Sequence, residues 1–370
     1  MISGLNRIAL AGLLAVMLCL CALPGFAAPI DDVLTVNDID VDVTAGSAAE
    51  AKQKALEQAQ QQGFVTIVRR TVLAIDQKRV PTPEGDKLER LVRDFEFVSE
   101  KTSDVRYIAK LNIRYRPNPF FDHLGRLGVR YAETVSKPLV VVPLMVTDQG
   151  GRLWDAPNPW LTSWQNLNLP PTLAPVVVPY GELGDVQSVS ITQAAQGDAL
   201  ALGKLADRYS AKGALVTLYR PTGPDKATVI LRQVGGKGLD RAKSLEVRLQ
   251  GDETPDKLYI RAISATLVAL EEAWREGNSI DPTVADETMR LAVPVARVSD
   301  WPDIRKRLGN TGPVRGVELK SFSTTRYEIA VSYSGTMDTL MTGLRQQGLM
   351  LAPIGVEPDS VISHELIRVR

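Results

Sequence analysis

Cysteine is almost missing from this chain of 370 residues: only Cys19 and Cys21 are present, both inside an apolar stretch at the N-terminus. Downstream of that stretch there is no thiol nucleophile, no disulfide and no thiolate metal ligand, a composition that an oxidising compartment accepts without complication. Histidine is equally scarce. His123 and His364 are the only two, far apart and without a neighbouring ligand pattern, so each reads as a structural or exposed side chain. Neither sign of charge is in excess: 43 basic against 43 acidic residues gives no electrostatic reason to expect nucleic acid or anionic lipid as a partner. No apolar run after Ala28 is long enough to cross a membrane.

The usual chemical signatures are missing as well. There is no Gly-x-Ser-x-Gly elbow. Gly235-Gly236-Lys237-Gly238 lacks the Lys-Ser/Thr ending of a phosphate loop and a helix to follow it, so it reads as a hairpin turn. Asp38, Asp40 and Asp42 have calcium-loop spacing, but Val43 stands where the glycine belongs and Ala49 where the bidentate acid belongs, so they read as the wet face of a strand. Glu271-Glu272 reads as the wet side of an amphipathic helix. No catalytic residue, metal ligand or cofactor site is expected from these patterns.

What is present begins with an address. A short basic region ends at Arg7, Ile8 to Leu23 carries no charge, and Pro24-Gly25-Phe26-Ala27-Ala28 follows, the layout of a secretory signal peptide. Small residues are needed at −3 and −1 of the cut, and Gly25 with Ala27 supplies them. Cleavage is expected after Ala27, with a soluble periplasmic protein as product. The alternative is an uncleaved membrane anchor, against which Pro24-Gly25 breaks the helix. A lipoprotein reading is disfavoured because Cys19 and Cys21 each follow a leucine.

A chain this long exceeds the usual size of one core. The pattern predicts three small mixed domains, α/β and α+β, behind a signal peptide at 1–27. In the first, 30–117, Ile39, Val41 and Val43 alternate with acids, Ser47-Ala48-Ala49-Glu50 reads as a capping box, and Ala48, Ala51, Ala55, Ala59, Phe64 and Ile67 recur at helical spacing. Strands around Phe95–Val98 and Val105–Tyr115 complete a β-α-β-β unit. Phe120, Leu124, Leu127 and Tyr131 predict a connecting helix over 118–137.

The second domain, 138–277, opens with the unbroken apolar run Leu139 to Leu144, which suits a strand covered on both faces. Further strands are expected at Val176–Val178, Ala214–Tyr219, Lys226–Gln233 and Ser244–Leu249. One helix carries Leu202, Leu205, Ala206 and Tyr209, and another carries Tyr259, Ile263, Leu267, Leu270 and Trp274. The third domain, 286–370, has the order β-α-β-β-α-β, the ferredoxin-like arrangement.

Some of these segments together resemble a known family. The leader, the Ala-rich helix ending in Gln-Gln-Gly-Phe, the strands reaching Arg114-Tyr115-Arg116-Pro117, and Pro138-Leu139-Val140-Val141-Val142-Pro143 are similar to the proteobacterial exported family catalogued as domain of unknown function 2066. The likeness covers most of the chain, rests on framework patterns, and implies export without an assigned activity. Separately, Leu205 to Val216 is similar to the helix-to-strand junction of the fold shared by the TolB N-terminal domain and curli-secretion lipoproteins. That likeness implies contacts between envelope components and brings no site residues with it.

One segment stands out as a candidate surface: Trp154, Trp160 and Trp164, in a stretch rich in Asn and Pro. Loop tryptophans stack on sugar rings or anchor protein partners; equally, they plug a core. Trp160 and Trp164, four residues apart on an expected helix, are the ones expected to be buried, and Trp154 is the one expected to be exposed. The leading expectation is a non-enzymatic exported protein working through contacts with envelope components, its partners being envelope proteins or cell-wall glycan. Its rivals are a module binding glycan or peptidoglycan, and a hydrolase whose carboxylates the sequence does not reveal.

Overall fold

The computed structural model describes residues 30–354 and 362–369. The expected signal peptide and its cut after Ala27 lie outside the described residues. The described chain mixes helices with three separate sheets, as the sequence pattern predicts. Among the described residues no helix is long and apolar enough to cross a membrane.

In the first unit, β1 (Thr35–Thr44), β2 (Val92–Thr102) and β3 (Arg106–Tyr115) form an antiparallel sheet in the order β1-β3-β2. The helix α1 (Ala48–Thr71) lies across it. Ala51, Ala55, Ala59 and Gly63 form its buried face. Small residues there let helix and sheet approach closely, and a Cβ on Gly63 would come within 2.5 Å of the Tyr115 hydroxyl. Ser47 caps α1 by accepting from the Glu50 amide. The return half of the expected box is different: the Glu50 carboxylate takes the Gly46 amide and pairs with Lys54 instead. On the far face of the sheet the acidic series is exposed as predicted, Asp42 against Arg106 and both Asp38 and Asp40 beside Lys110.

The connecting helix is shorter than expected. α2 (Pro117–Arg126) buries Phe120 and Leu124 in the first core. Gly128 then takes a left-handed φ of 62°, which ends a helix at no steric cost. Tyr131, assigned to the helix by its spacing, instead lies in extended chain bridged to Val72 on one side and Ile280 on the other.

The middle unit is a sheet with helices on both faces. β4 (Leu139–Thr147) runs parallel to β7 (Gly213–Pro221), and β8 (Lys226–Val234) and β9 (Lys243–Arg248) continue antiparallel from β7. The other edge of β4 is shared by β5 (Gly150–Arg152) at one end and β6 (Val176–Val177) at the other. Leu139, Val141 and Met145 face a core with α3 (Pro159–Asn166) and α7 (Asp256–Asn278). Val140, Val142 and Leu144 face a second core with α5 (Ile191–Gln196) and α6 (Ala199–Arg208), beside which α4 (Leu183–Ser188) packs. Burial on both faces is why the run in β4 shows no alternation.

The third unit contains β10 (Glu287–Pro294), α8 (Trp301–Gly309), β11 (Val314–Phe322), β12 (Arg326–Tyr333), α9 (Met337–Gln346) and β13 (Leu349–Pro353), the expected order. A further strand, β14 (Ile362–Arg368), follows it. The sheet order is β11-β12-β10-β14-β13. β14 therefore takes the place beside β10, pairing parallel to it, and β13 moves to the edge.

Candidate functional site

Among the described residues two junctions tie the units through buried groups, with an exposed Lys237–Asp338 pair at 2.8 Å also linking the middle and third units, and the cavity of interest lies in the first junction. The short helical turn Ile30–Val33 leads into β1, and consecutive residues there bury in different cores: Val33 in the middle unit, Leu34 in the first. Arg275, near the end of α7 and almost fully buried, donates to the carbonyl oxygens of Arg69 and Arg70 at 3.0 and 3.2 Å. It also pairs with Glu272 at 2.6 Å and Glu271 at 3.4 Å. Glu272 in turn accepts the Ala74 amide. The expected wet side of this helix is thus a clamp between units, with two main-chain carbonyls that end α1 satisfied by a cation.

Beside the clamp opens a cleft of about 300 Å³. One wall is the start of the first unit, Asp32, Thr35 and Asn37; the other is Leu267 and Glu271 of α7. The floor is the segment before β6, with Leu169, Pro170, Pro171 and Pro175. Strand edges meet here: β1 is an outer strand of the first sheet, and β6 an outer strand of the second. Pro175 has no N–H, so the floor segment offers fewer donors for pairing. Arg70 donates from one nitrogen to the Val33 and Thr35 carbonyls at 2.8 and 2.7 Å. Its pKa is lowered by burial and opposed by the nearby Glu271 carboxylate. At Asn37 the pairing of β1 with β3 slips between Val36 and Ile39, and Asp38 adopts φ 56° with its amide held by Asn112. Such bulges turn a strand edge away from regular pairing and re-aim its side chains.

The cleft offers a neutral, largely apolar floor under two acids. It has no lysine, arginine or histidine in its lining and no aromatic ring. Glu271 is held by Arg275, whereas Asp32 is exposed and has no ion pair among the described residues.

The second junction attaches the third unit. Arg315 of β11 reaches the Glu133 carboxylate at 2.9 Å and the Tyr131 hydroxyl at 3.3 Å, both on the extended segment after α2. Its other nitrogens donate to Ser334 and the Gly312 carbonyl, and Ser334 bonds Asp286. Gly312 is needed for this fit, because a Cβ there would come within 2.9 Å of the Glu133 side chain. Burial raises the Glu133 carboxyl to about 7, against the pull of Arg315 in the other direction.

The tryptophans singled out from the sequence do not share a surface. Trp160 and Trp164 are fully buried in α3. Trp160 stacks on Tyr219 at 4.9 Å between centroids and donates to the Thr217 carbonyl; Trp164 meets it edge-on at 5.6 Å. Trp154 is half-buried, packs against the core on the opposite face of the middle sheet, and donates to the Val189 carbonyl at 2.9 Å. The sheet itself separates it from the other two. The reason is the long connection from β5, which passes Trp154 on one side and then plugs the other with α3. As a three-tryptophan binding surface the segment is therefore corrected.

Neither histidine joins a cluster: His123 sits edge-on to Phe64 with its pKa lowered chiefly by burial, and His364 meets Ser363. Among the described residues no three His, Cys, Asp or Glu side chains are grouped to hold a metal ion. Sequence reading missed the cleft because its residues come from three separated segments. The only local signal was the proline-rich stretch at 169–175. No protein-family profile matches the chain, and no curated protein matches it.

Proposed function

We propose that this is a non-enzymatic exported protein, working in a bacterial periplasm and akin to the exported family it resembles, that holds a segment of a partner polypeptide of the cell envelope in the junction cleft. The observation that carries the reading is the cleft's make-up: an apolar proline and leucine floor of about 300 Å³ between the outer strands of two sheets that are clamped together. That volume lies at the small end of ligand pockets and suits a few side chains in extended form. An α-helix, about 10–12 Å across with its side chains, is too thick for it. Polypeptide is favoured over glycan because the lining has no aromatic ring on which a sugar would stack, and Trp160 and Trp164 are buried.

The test is site-specific photocrosslinking in intact cells, with the photoreactive residue at Leu267 in the cleft or, as a remote control, at the exposed Phe322 on β11. A discrete crosslinked envelope polypeptide from position 267 and not from position 322 is expected. Equal crosslinking from both, or retention of the protein on purified cell-wall glycan, would overturn the reading.

A further inference from the structure

We infer that the cleft selects a basic residue: a lysine or arginine side chain, carried on an extended apolar segment, enters beside Asp32 and Glu271 while its neighbours lie on Pro170, Pro171 and Leu267. The inference rests on the reading of the cleft as a polypeptide site and adds the chemistry of its occupant. Charge complementarity is the argument. Both ionisable groups in the lining are carboxylates, and no cation shares it. Glu271 is balanced from behind by Arg275, while Asp32 has no ion pair among the described residues. The guanidinium that approaches from α1, Arg70, is occupied with the Val33 and Thr35 carbonyls. An acidic segment would therefore meet the unpaired Asp32 carboxylate as a like charge, with no cation in the lining to offset it, and a wholly apolar one would leave Asp32 without a partner on the wall it covers. A cation on an apolar stem satisfies both parts of the site, because its methylenes cover apolar surface while its head reaches the acids.

The experiment uses the protein as its host processes it and three capped fluorescent pentapeptides of leucine and valine, with lysine, norleucine or glutamate at the centre. Fluorescence anisotropy is measured at low and at moderate salt. The lysine peptide is expected to bind most tightly. Asp32→Asn should weaken it roughly threefold to fivefold, the scale of one exposed ion pair, and added salt should narrow its advantage. Asn37→Arg, at an exposed position of the same wall, should abolish lysine-peptide binding and admit the glutamate peptide. Thermal melting of both variants checks that they remain folded. Equal binding of the lysine and norleucine peptides would overturn basic selection while leaving the cleft as a polypeptide site. If no peptide binds and position 267 crosslinks nothing in cells, both readings fail together.

Discussion

The two junctions solve one problem, fixing a unit to its neighbour, with different chemistry. The first uses groups whose charge is constant near neutral pH: Arg275 on main-chain carbonyls, and Val33 and Leu34 each buried in a different core. Trp274, buried in the middle core, adds to it by donating to the Thr134 carbonyl on the segment that connects the two units. The second depends on Glu133, a carboxylate that burial has brought into the neutral range. The first joint is therefore expected to be a permanent weld, and the second to respond to acidity. The cleft lies in the weld, where its shape is held constant.

The largest effect should come from the weld. Trp274→Ala removes a buried indole and its hydrogen bond, and truncations of this kind cost about 3–5 kcal/mol. Calorimetry should show the first and middle units losing stability together; a loss confined to one of them would break the idea of a joint. Arg275→Ala comes next. It leaves the Glu272 carboxylate and two carbonyls without their cation, and breaking a buried pair in this way costs roughly 3 kcal/mol. Denaturant titration reads it, and a change within error would mean that the clamp only decorates the contact.

The pH response of the second junction distinguishes it from the first. Around Glu133 stand Arg315 on β11, Tyr131 on its own segment, Asp122 on α2 and, through Ser334, Asp286 before β10. The docked carboxyl has its pKa raised to about 7, while undocking returns it to the usual carboxylate range near 4.3. Docking therefore takes up a proton. Its contribution is fully present below the undocked value and is lost as pH rises through about 7, with close to a tenfold change in the undocked population per pH unit between the two values. Hydrogen exchange at the amides of Gly312, Val314 and Arg315, which lie at the joint, should be slower at pH 5.5 than at pH 7.5 after correction for intrinsic rates. In Glu133→Gln the corrected difference should vanish. A corrected difference of the same size in that variant would assign the response to another group. The smallest effect is expected at the cleft rim, where Asp32→Asn removes an exposed charge and should move stability by no more than about 0.5 kcal/mol, in contrast with its effect on peptide binding.

The way this fold reads from sequence follows the same division between local and distant. The Ala face of α1 and the alternation in β3 were visible because each element's burial pattern repeats at its own period. The unalternating run in β4 announced a strand covered on both sides for the same reason. Tyr131 was misplaced because helical spacing continues past Gly128, and the glycine's left-handed turn overrides it. The fifth strand of the third sheet was invisible because adding β14 beside β10 changes which strands are neighbours without disturbing the order of elements before it.

Glu271 and Glu272 mark the limit most sharply. On a helix with an apolar face elsewhere, two adjacent acids read as solvated, and by periodicity alone no other reading was available. Their partners were Arg275, one turn away, and the Ala74 amide, which is about two hundred positions distant. The sequence by itself determined most of the elements, their faces and a division into three small units, because those depend on residues a few positions apart. Only the tertiary structure decided that Asp32, Asn37, Pro171 and Leu267 share one cleft, and that Trp154 and Trp160 lie on opposite sides of a sheet. These relations depend on how finished elements pack across long stretches of chain, and pattern within any one stretch carries no record of that.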